Sequence, residues 1–332
     1  MYAMSLATPG AVEGGPLRRI ERPVPEPGRG EVLIRVSACG ACHTDLHIAE
    51  GEIELPRLPI VPGHQAVGTV ERAGPGATRR SVGERVGAAW LNQTCSSCRF
   101  CRRGEENLCD GARFTGYHVD GGYAEYLVMP EEYVYKIPEQ YSDIVAAPLL
   151  CAGIIGYRAL RCAGVAPGDR LALFGFGASA HIILQIARHR GCEVFVFTRS
   201  KEHRRLALSL GAAWAGQAGE AAPSPADRAI LFAPVGQLIP AALRALRKGG
   251  TLASAVIHLD RIPEMDYSLL FEERVLRTVT ASTRRDGEEL LAEACAADVR
   301  IETEVYPLAD ANRALARIKA SLVNGAAVLQ VG

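Results

Sequence analysis

Residues 170–174 (RLALF) run through Gly175-Phe176-Gly177-Ala178-Ser179-Ala180 into a helically periodic stretch, 178–189, and then into a Val- and Phe-rich run, 193–197. Strand, helix and strand in so short a span form a βαβ unit, which forces the two strands parallel and covers the sheet with helices. The alternation continues with a helix at 201–210, a strand at 228–232, a helix at 236–246 and a strand at 251–257. The turn has the form G-x-G-x-x-G/A expected of a dinucleotide-binding α/β fold, a doubly wound parallel sheet. Gly175 permits the tight turn, Gly177 lets backbone approach a pyrophosphate, and Ala180 allows close helix-to-strand packing. The helix start at Ala178 offers amide donors and a positive dipole end to phosphates. A plain glycine-containing turn is the alternative.

Such a unit ordinarily places an acid about 20 residues on, to hold the ribose 2′-hydroxyl. Thr198, Arg199 and Ser200 stand there instead, with Lys201 and Arg204 close behind. Hydroxyl and guanidinium groups favour a 2′-phosphate, which a carboxylate would repel. NADP(H) is therefore expected over NAD(H). Solvated loop charges are the competing reading, and Glu202 weighs on that side.

At roughly 100–200 residues per domain, a chain of 332 residues is expected to form two domains. Lys+Arg and Asp+Glu both number 37, so no global positive field draws the protein to nucleic acid or an anionic membrane. The first half alternates β-rich runs, at 31–38, 66–73 and 123–128, with Gly/Pro turns, which suggests an irregular, largely antiparallel domain. Residues 287–297 and 310–322 read as helices and 327–331 as a closing strand, while 215–226 carries the weakest ordering signal. The N-terminal stretch lacks the basic-then-apolar pattern of a secretory leader. The longest apolar run, 144–156, contains Pro148 and is too short to cross a bilayer. The expectation is a cytoplasmic protein with no membrane partner. Its ten cysteines then point to metal rather than disulfides.

Four of them, Cys95, Cys98, Cys101 and Cys109, are spaced C-x2-C-x2-C-x7-C, which lets one loop wrap a tetrahedral zinc. Four sulfurs close the shell, so such a site shapes a loop and performs no Lewis-acid chemistry. An iron–sulfur cluster competes, but its run has a nearer fourth cysteine followed by proline, and Asp110 follows Cys109 here.

A second concentration of ligand-type side chains is Cys39-Gly40-Ala41-Cys42-His43-Thr44-Asp45-Leu46-His47, followed by Gly63-His64-Gln65 and the distant Cys151-Ala152-Gly153. With these motifs in this order beside the four-cysteine lobe and the glycine turn, the chain resembles the zinc-dependent alcohol dehydrogenases of the medium-chain dehydrogenase/reductase family over essentially its whole length. The resemblance implies a GroES-like catalytic domain over 1–150 and 285–332, carrying the structural zinc lobe, and a Rossmann domain over 151–284. It implies two zinc ions per chain, one structural and one catalytic. Cys42, His64 and Cys151 would hold the catalytic ion and leave a fourth position open; Cys39 is the alternative to Cys42. Thr44 would bond the substrate oxygen and start a proton relay that His47 finishes through the cofactor ribose. Asp45 would orient His64, and His43 would lie by the pyrophosphate. Trp90 and Leu91 would be apolar walls of the substrate pocket, with a core tryptophan as the other reading of Trp90. Tyr117, His118 and 120–126 read as scaffold.

Some positions depart from the family. Gln65 stands where the family commonly has glutamate, Ile155 where threonine is frequent, and Asn324-Gly325-Ala326 lacks the arginine that often contacts cofactor phosphate, for which Arg284 or Arg285 could compensate. The expected activity is hydride transfer between a primary or simple secondary alcohol, or the aldehyde, and NAD(P). A polyol or sugar dehydrogenase, and a non-catalytic zinc- and nucleotide-binding sensor, are the alternatives. A homodimer or homotetramer is expected through edge pairing of the cofactor-domain sheets.

Overall fold

The computed structural model describes residues 1–332. The chain forms two compact units, Met1–Cys151 with Ala281–Leu291 and Ile301–Gly332, and Ala152–Thr280 with Ala292–Arg300. The unit changes thus fall after Cys151 and Thr280, against the expected 150/151 and 284/285, and 292–300 packs with the second unit. Side chains on the second unit's helices explain that return. Glu293 takes two bonds from Arg190, at 2.6 and 2.9 Å, and one from Tyr157 at 2.8 Å, while Gln185 bonds both the N–H and the carbonyl of Arg300.

The first unit is built on a seven-stranded sheet ordered Thr303–Pro307, Ala326–Gln330, Glu31–Ala41, Ala66–Ala73, Arg85–Ala88, Val134–Lys136, with Tyr126–Pro130 also pairing to Glu31–Ala41. All of its pairings are antiparallel except that of Thr303–Pro307 with Ala326–Gln330. Glu31–Ala41 is central and covered on both faces, which is why it reads as a nearly unbroken apolar run. The strand expected at 123–128 begins at Tyr126. Gly121 and Gly122 give their N–H groups to Val61 and Gly63 carbonyls, so the chain before Tyr126 is bound to the 61–63 loop.

The second unit carries a six-stranded parallel sheet ordered Trp214–Gly216, Glu193–Phe197, Arg170–Phe174, Ala226–Leu231, Leu246–Ser254, Val275–Thr278. In chain order this is 3-2-1-4-5-6, the doubly wound arrangement whose switch point lies beside the first strand. Helices Ala152–Ala163, Ala178–His189, Lys201–Ser209 and Leu238–Ala245 belong to it. Phe174 stacks on Phe197 at 4.3 Å, and Phe197 meets Trp214 edge-on at 5.0 Å, so a few rings fill a largely aliphatic core. The two edge strands are not evident from the sequence. Trp214–Gly216 has only three residues, in part inside the Ala/Gly-rich stretch expected to be weakly ordered, and Val275–Thr278 is mostly exposed.

The apolar run 144–156 lies inside a longer helical stretch, Asp143–Ala163, of 21 residues, whose most apolar window has mean hydropathy 1.5. By length and composition this stretch could cross a membrane, which corrects the sequence reading; 67% of its most apolar window is buried inside the fold. Core packing accounts for its hydropathy.

Gly175 has φ +89°, and a Cβ there would lie 2.9 Å from the Ala233 nitrogen. Gly175→Ala is therefore expected to destabilise the second unit by about 1–3 kcal/mol. Urea unfolding followed by Trp214 fluorescence in a Trp90→Phe background would measure this; an unchanged midpoint would contradict it.

Candidate active site and metal centres

Helix His43–Glu50 starts immediately after Cys42, where the central strand ends, and Asp45 sits in its first turn. The Asp45 carboxylate, completely buried, closes that turn by accepting the Cys42 N–H on Oδ2 at 3.0 Å. Its Oδ1 accepts the Gly63 N–H at 3.2 Å and stands 3.1 Å from His64 Nδ1. With Nδ1–H given to Asp45, Nε2 of His64 is the nitrogen available to a metal. That atom lies 3.5 Å from Cys42 Sγ and 3.2 Å from Cys151 Sγ. All three ligand atoms lie within 4.8 Å of one another.

The donor set fits zinc. Zinc-to-sulfur and zinc-to-nitrogen distances of about 2.3 and 2.0–2.1 Å in a tetrahedron put sulfur about 3.6 Å from nitrogen. Burial opposes a proton on the His64 ring, but the Asp45 carboxylate and Cys42 outweigh it and raise the pKa to about 10. Contact with Cys151, then burial, pushes the Cys42 thiol well above its usual range. A divalent cation resolves this competition by replacing the shared protons. Cys39 is not one of the three. It lies within the ladder opposite Leu329 and Ala66, fully buried, with Sγ against the Gly40 carbonyl at 3.6 Å.

The other sulfur group is Cys95, Cys98, Cys101 and Cys109. Sulfur separations are 3.5 Å for Cys98–Cys101, 3.5 Å for Cys95–Cys109 and 3.9 Å for Cys95–Cys101. They bracket the roughly 3.8 Å edge of a zinc–thiolate tetrahedron, far beyond a disulfide bond of about 2.05 Å. Backbone N–H groups support negative sulfur here. The Ser97 N–H, then the Cys98 N–H that donates to Cys95 Sγ at 3.3 Å, lower the Cys95 pKa to about 6.

Thr44 and His47 share the helix with Asp45, and His43 at its start is exposed. His47 Nδ1 bonds the Glu52 carboxylate, a partner not anticipated from the sequence. Its signal was Gly51, whose φ of 75° turns the chain back so that Glu52 N reaches the His47 carbonyl. Trp90 keeps partial exposure, meets the His64 ring edge-on at 4.9 Å and stacks on Phe114 at 5.0 Å. Leu91, by contrast, is buried in the core and paired with Phe114. Gln65 is buried against Gly40, where a Cβ would lie 2.6 Å from its Oε1, and its Nε2 has no partner.

In the second unit, Gly177 caps helix Ala178–His189, and a Cβ on it would meet nothing within 4 Å, so the turn stays open to a ligand's close approach. Ala180 is fully buried. His181 bonds the Gly177 carbonyl through Nδ1 at 3.3 Å, and burial lowers its pKa to about 4, so the ring is neutral. Thr198, Arg199 and Ser200 follow the second strand. Ser200 caps the next helix by accepting the His203 N–H, and Arg204 donates to the Thr198 and Arg199 carbonyls at 2.8 and 2.9 Å. Arg204 thus shapes the loop, and Arg199 is the exposed cation beside it. Arg284 is held by Glu106 and Glu132, and Arg285 by Glu289, all within the first unit, so neither is free to replace the missing C-terminal arginine.

Comparison with known proteins agrees with this arrangement. Residues 28–139 match the alcohol dehydrogenase GroES-like domain. A probable alcohol dehydrogenase of Mycobacterium tuberculosis is 47% identical over 337 residues, covering 100% of this chain and 97% of that one. An alcohol dehydrogenase of Geobacillus stearothermophilus is 37% identical over 95% of each chain. The chain belongs to the alcohol dehydrogenases of the medium-chain dehydrogenase/reductase family. A cobalt- and zinc-bound thermostable alcohol dehydrogenase from Pyrobaculum aerophilum has the same fold, with TM-score 0.90 and 27% identity over 100% of this chain and 99% of that one.

Cys95→Ser removes one corner of the sulfur tetrahedron. Zinc content is expected to fall from about two to about one per chain, with a lower Tm. Elemental analysis of the purified variant would show this, and an unchanged zinc content would remove the lobe from the account.

Proposed function

We propose that this alcohol dehydrogenase interconverts primary or simple secondary alcohols and their carbonyl products, with NADP(H) preferred and two zinc ions per chain. The observation that carries the reading is the convergence of Cys42, His64 and Cys151 around the imidazole that Asp45 holds. Three protein ligands leave one tetrahedral position for a substrate oxygen, whereas the four-cysteine lobe leaves none. Zinc bound there supplies a Lewis acid that polarises an alcohol oxygen and eases loss of its proton.

The chain's own groups do the rest. Thr44 accepts the substrate proton's hydrogen bond, and His47 passes a proton on to solvent. Glu52 holds His47 Nδ1 and so orients the ring for this transfer. Trp90, backed by Phe114, gives the substrate an apolar wall, which favours simple alcohols over polyols. The turn at Gly175, Gly177 and Ala178 meets the pyrophosphate, and Thr198, Arg199 and Ser200 meet the 2′-phosphate, with Arg204 bracing their loop.

Pairing of two copies along the edge strand Val275–Thr278 fits the apolar surface nearby. Ile257, Tyr267, Phe271 and Val275 are 55%, 73%, 57% and 47% exposed. A cytoplasmic location suits a chain with this many metal-ligating thiols.

Steady-state rates with NADPH and NADH against a panel of aldehydes test the reading. Thr44→Ala is expected to lower kcat roughly 10²-fold or more with zinc retained. Arg199→Asp is expected to shift the NADPH/NADH ratio of kcat/KM by at least about tenfold towards NADH. Binding of cofactor with no turnover on any alcohol would favour the sensor instead, and an unmoved ratio would refute the 2′-phosphate assignment.

A further inference from the structure

Beneath Asp45 lies a polar group that the proposed chemistry does not use. Tyr123 follows Gly121-Gly122, gives its N–H to the Pro62 carbonyl at 3.0 Å, and is 0% exposed. One edge of its ring packs against Gly63, where a Cβ would stand 2.4 Å from Cδ1 and 2.9 Å from Cε1. Gly63 is the residue whose N–H bonds Asp45 Oδ1. The Tyr123 hydroxyl is buried and has no hydrogen-bond partner, and Asp45 is among the groups that act on it electrostatically. Burial first, then Asp45, Cys39 and Cys42, push its pKa well above the usual range, so the phenol keeps its proton.

Two counts meet at this point. A buried O–H with no acceptor costs about 1–3 kcal/mol. An ionised carboxylate offers about four acceptor sites, and Asp45 uses three, for Cys42 N, Gly63 N and His64 Nδ1. One unused donor is therefore matched by one unused acceptor site, on the carboxylate that aims the His64 ring. We propose that Tyr123 is a positioning residue for the metal centre, its hydroxyl acting as the fourth donor to Asp45 and holding His64 and Cys42 in place when they close on zinc. The inference rests on the reading that Cys42, His64 and Cys151 bind zinc.

The test is the rate at which zinc passes to a chromophoric chelator from the fully loaded enzyme. Wild type is expected to release zinc in two phases, and Cys95→Ser, with the lobe removed, identifies the phase that belongs to Cys42, His64 and Cys151. Tyr123→Phe keeps the ring and removes only the hydroxyl. It is expected to speed that phase about tenfold, as loss of a partner behind a metal ligand does, and to leave the lobe's phase unchanged. Placing 3-fluorotyrosine at 123 strengthens the donor and is expected to slow the same phase. A role in packing alone would not give opposite signs for these two near-isosteric changes, and the fluorinated protein keeps the proposal testable if the Phe variant does not fold. Wild-type release rates in both variants would overturn the proposal. If Cys95→Ser enzyme carries no zinc at all, the metal reading itself fails, which is a separate result.

Discussion

The buried carboxylate of Asp45 is the fixed point of the first unit. It takes the N–H that starts helix His43–Glu50 and the N–H of Gly63, and it orients the ring of His64. Two stretches of chain about twenty residues apart are thereby locked in one geometry, with a sulfur from one and a nitrogen from the other 3.5 Å apart. Cys151 arrives from a third stretch, after the fully buried turn Ala147–Leu150, where Gly87 leaves room for the Leu150 side chain. An uncompensated charge this deep would be costly. Three donors, the N–H groups of Cys42 and Gly63 and the ring of His64, are what make it tolerable.

The two groups of candidate ligands differ in number, four sulfurs against two sulfurs and one nitrogen. The lobe's four sulfurs come from one short loop, so binding there orders local chain and leaves no open position. The other centre draws one side chain from each of three places and is built where the sheet, the helix and the 61–65 loop meet. Its surroundings are correspondingly rigid: Gly63, Gly116 and Gly121 pack backbone against backbone, with gaps too narrow for a Cβ. Gln65 fills the space beside Gly40 with an uncharged amide, so no second carboxylate competes with Asp45 at this depth.

Much of this was legible in the sequence because ligand chemistry restricts residue type. Few side chains can replace Cys42, His64 or Cys95, and the glycines of the turn are dictated by backbone geometry. The parallel sheet was legible from its alternation of strands and helices. What escaped was set by tertiary context. Trp214–Gly216 and Val275–Thr278 are strands because a neighbour offers an edge, although their own residues carry little β pattern. Tyr126–Pro130 begins late because Gly121 and Gly122 bond another loop. Glu52 is one acid among many until the turn at Gly51 carries it back to His47. Leu91 and Trp90, adjacent in sequence, part company because successive side chains of an extended chain face opposite ways.

The account stands on three side chains sharing one ion. Anomalous diffraction at the zinc edge, from crystals of enzyme purified without chelator, tests it most directly. The expected result is two peaks per chain, one bonded to Cys42 Sγ, His64 Nε2 and Cys151 Sγ with a non-protein fourth ligand. A peak bonded to Cys39 in place of Cys42, or a single peak confined to the four-cysteine lobe, would contradict it.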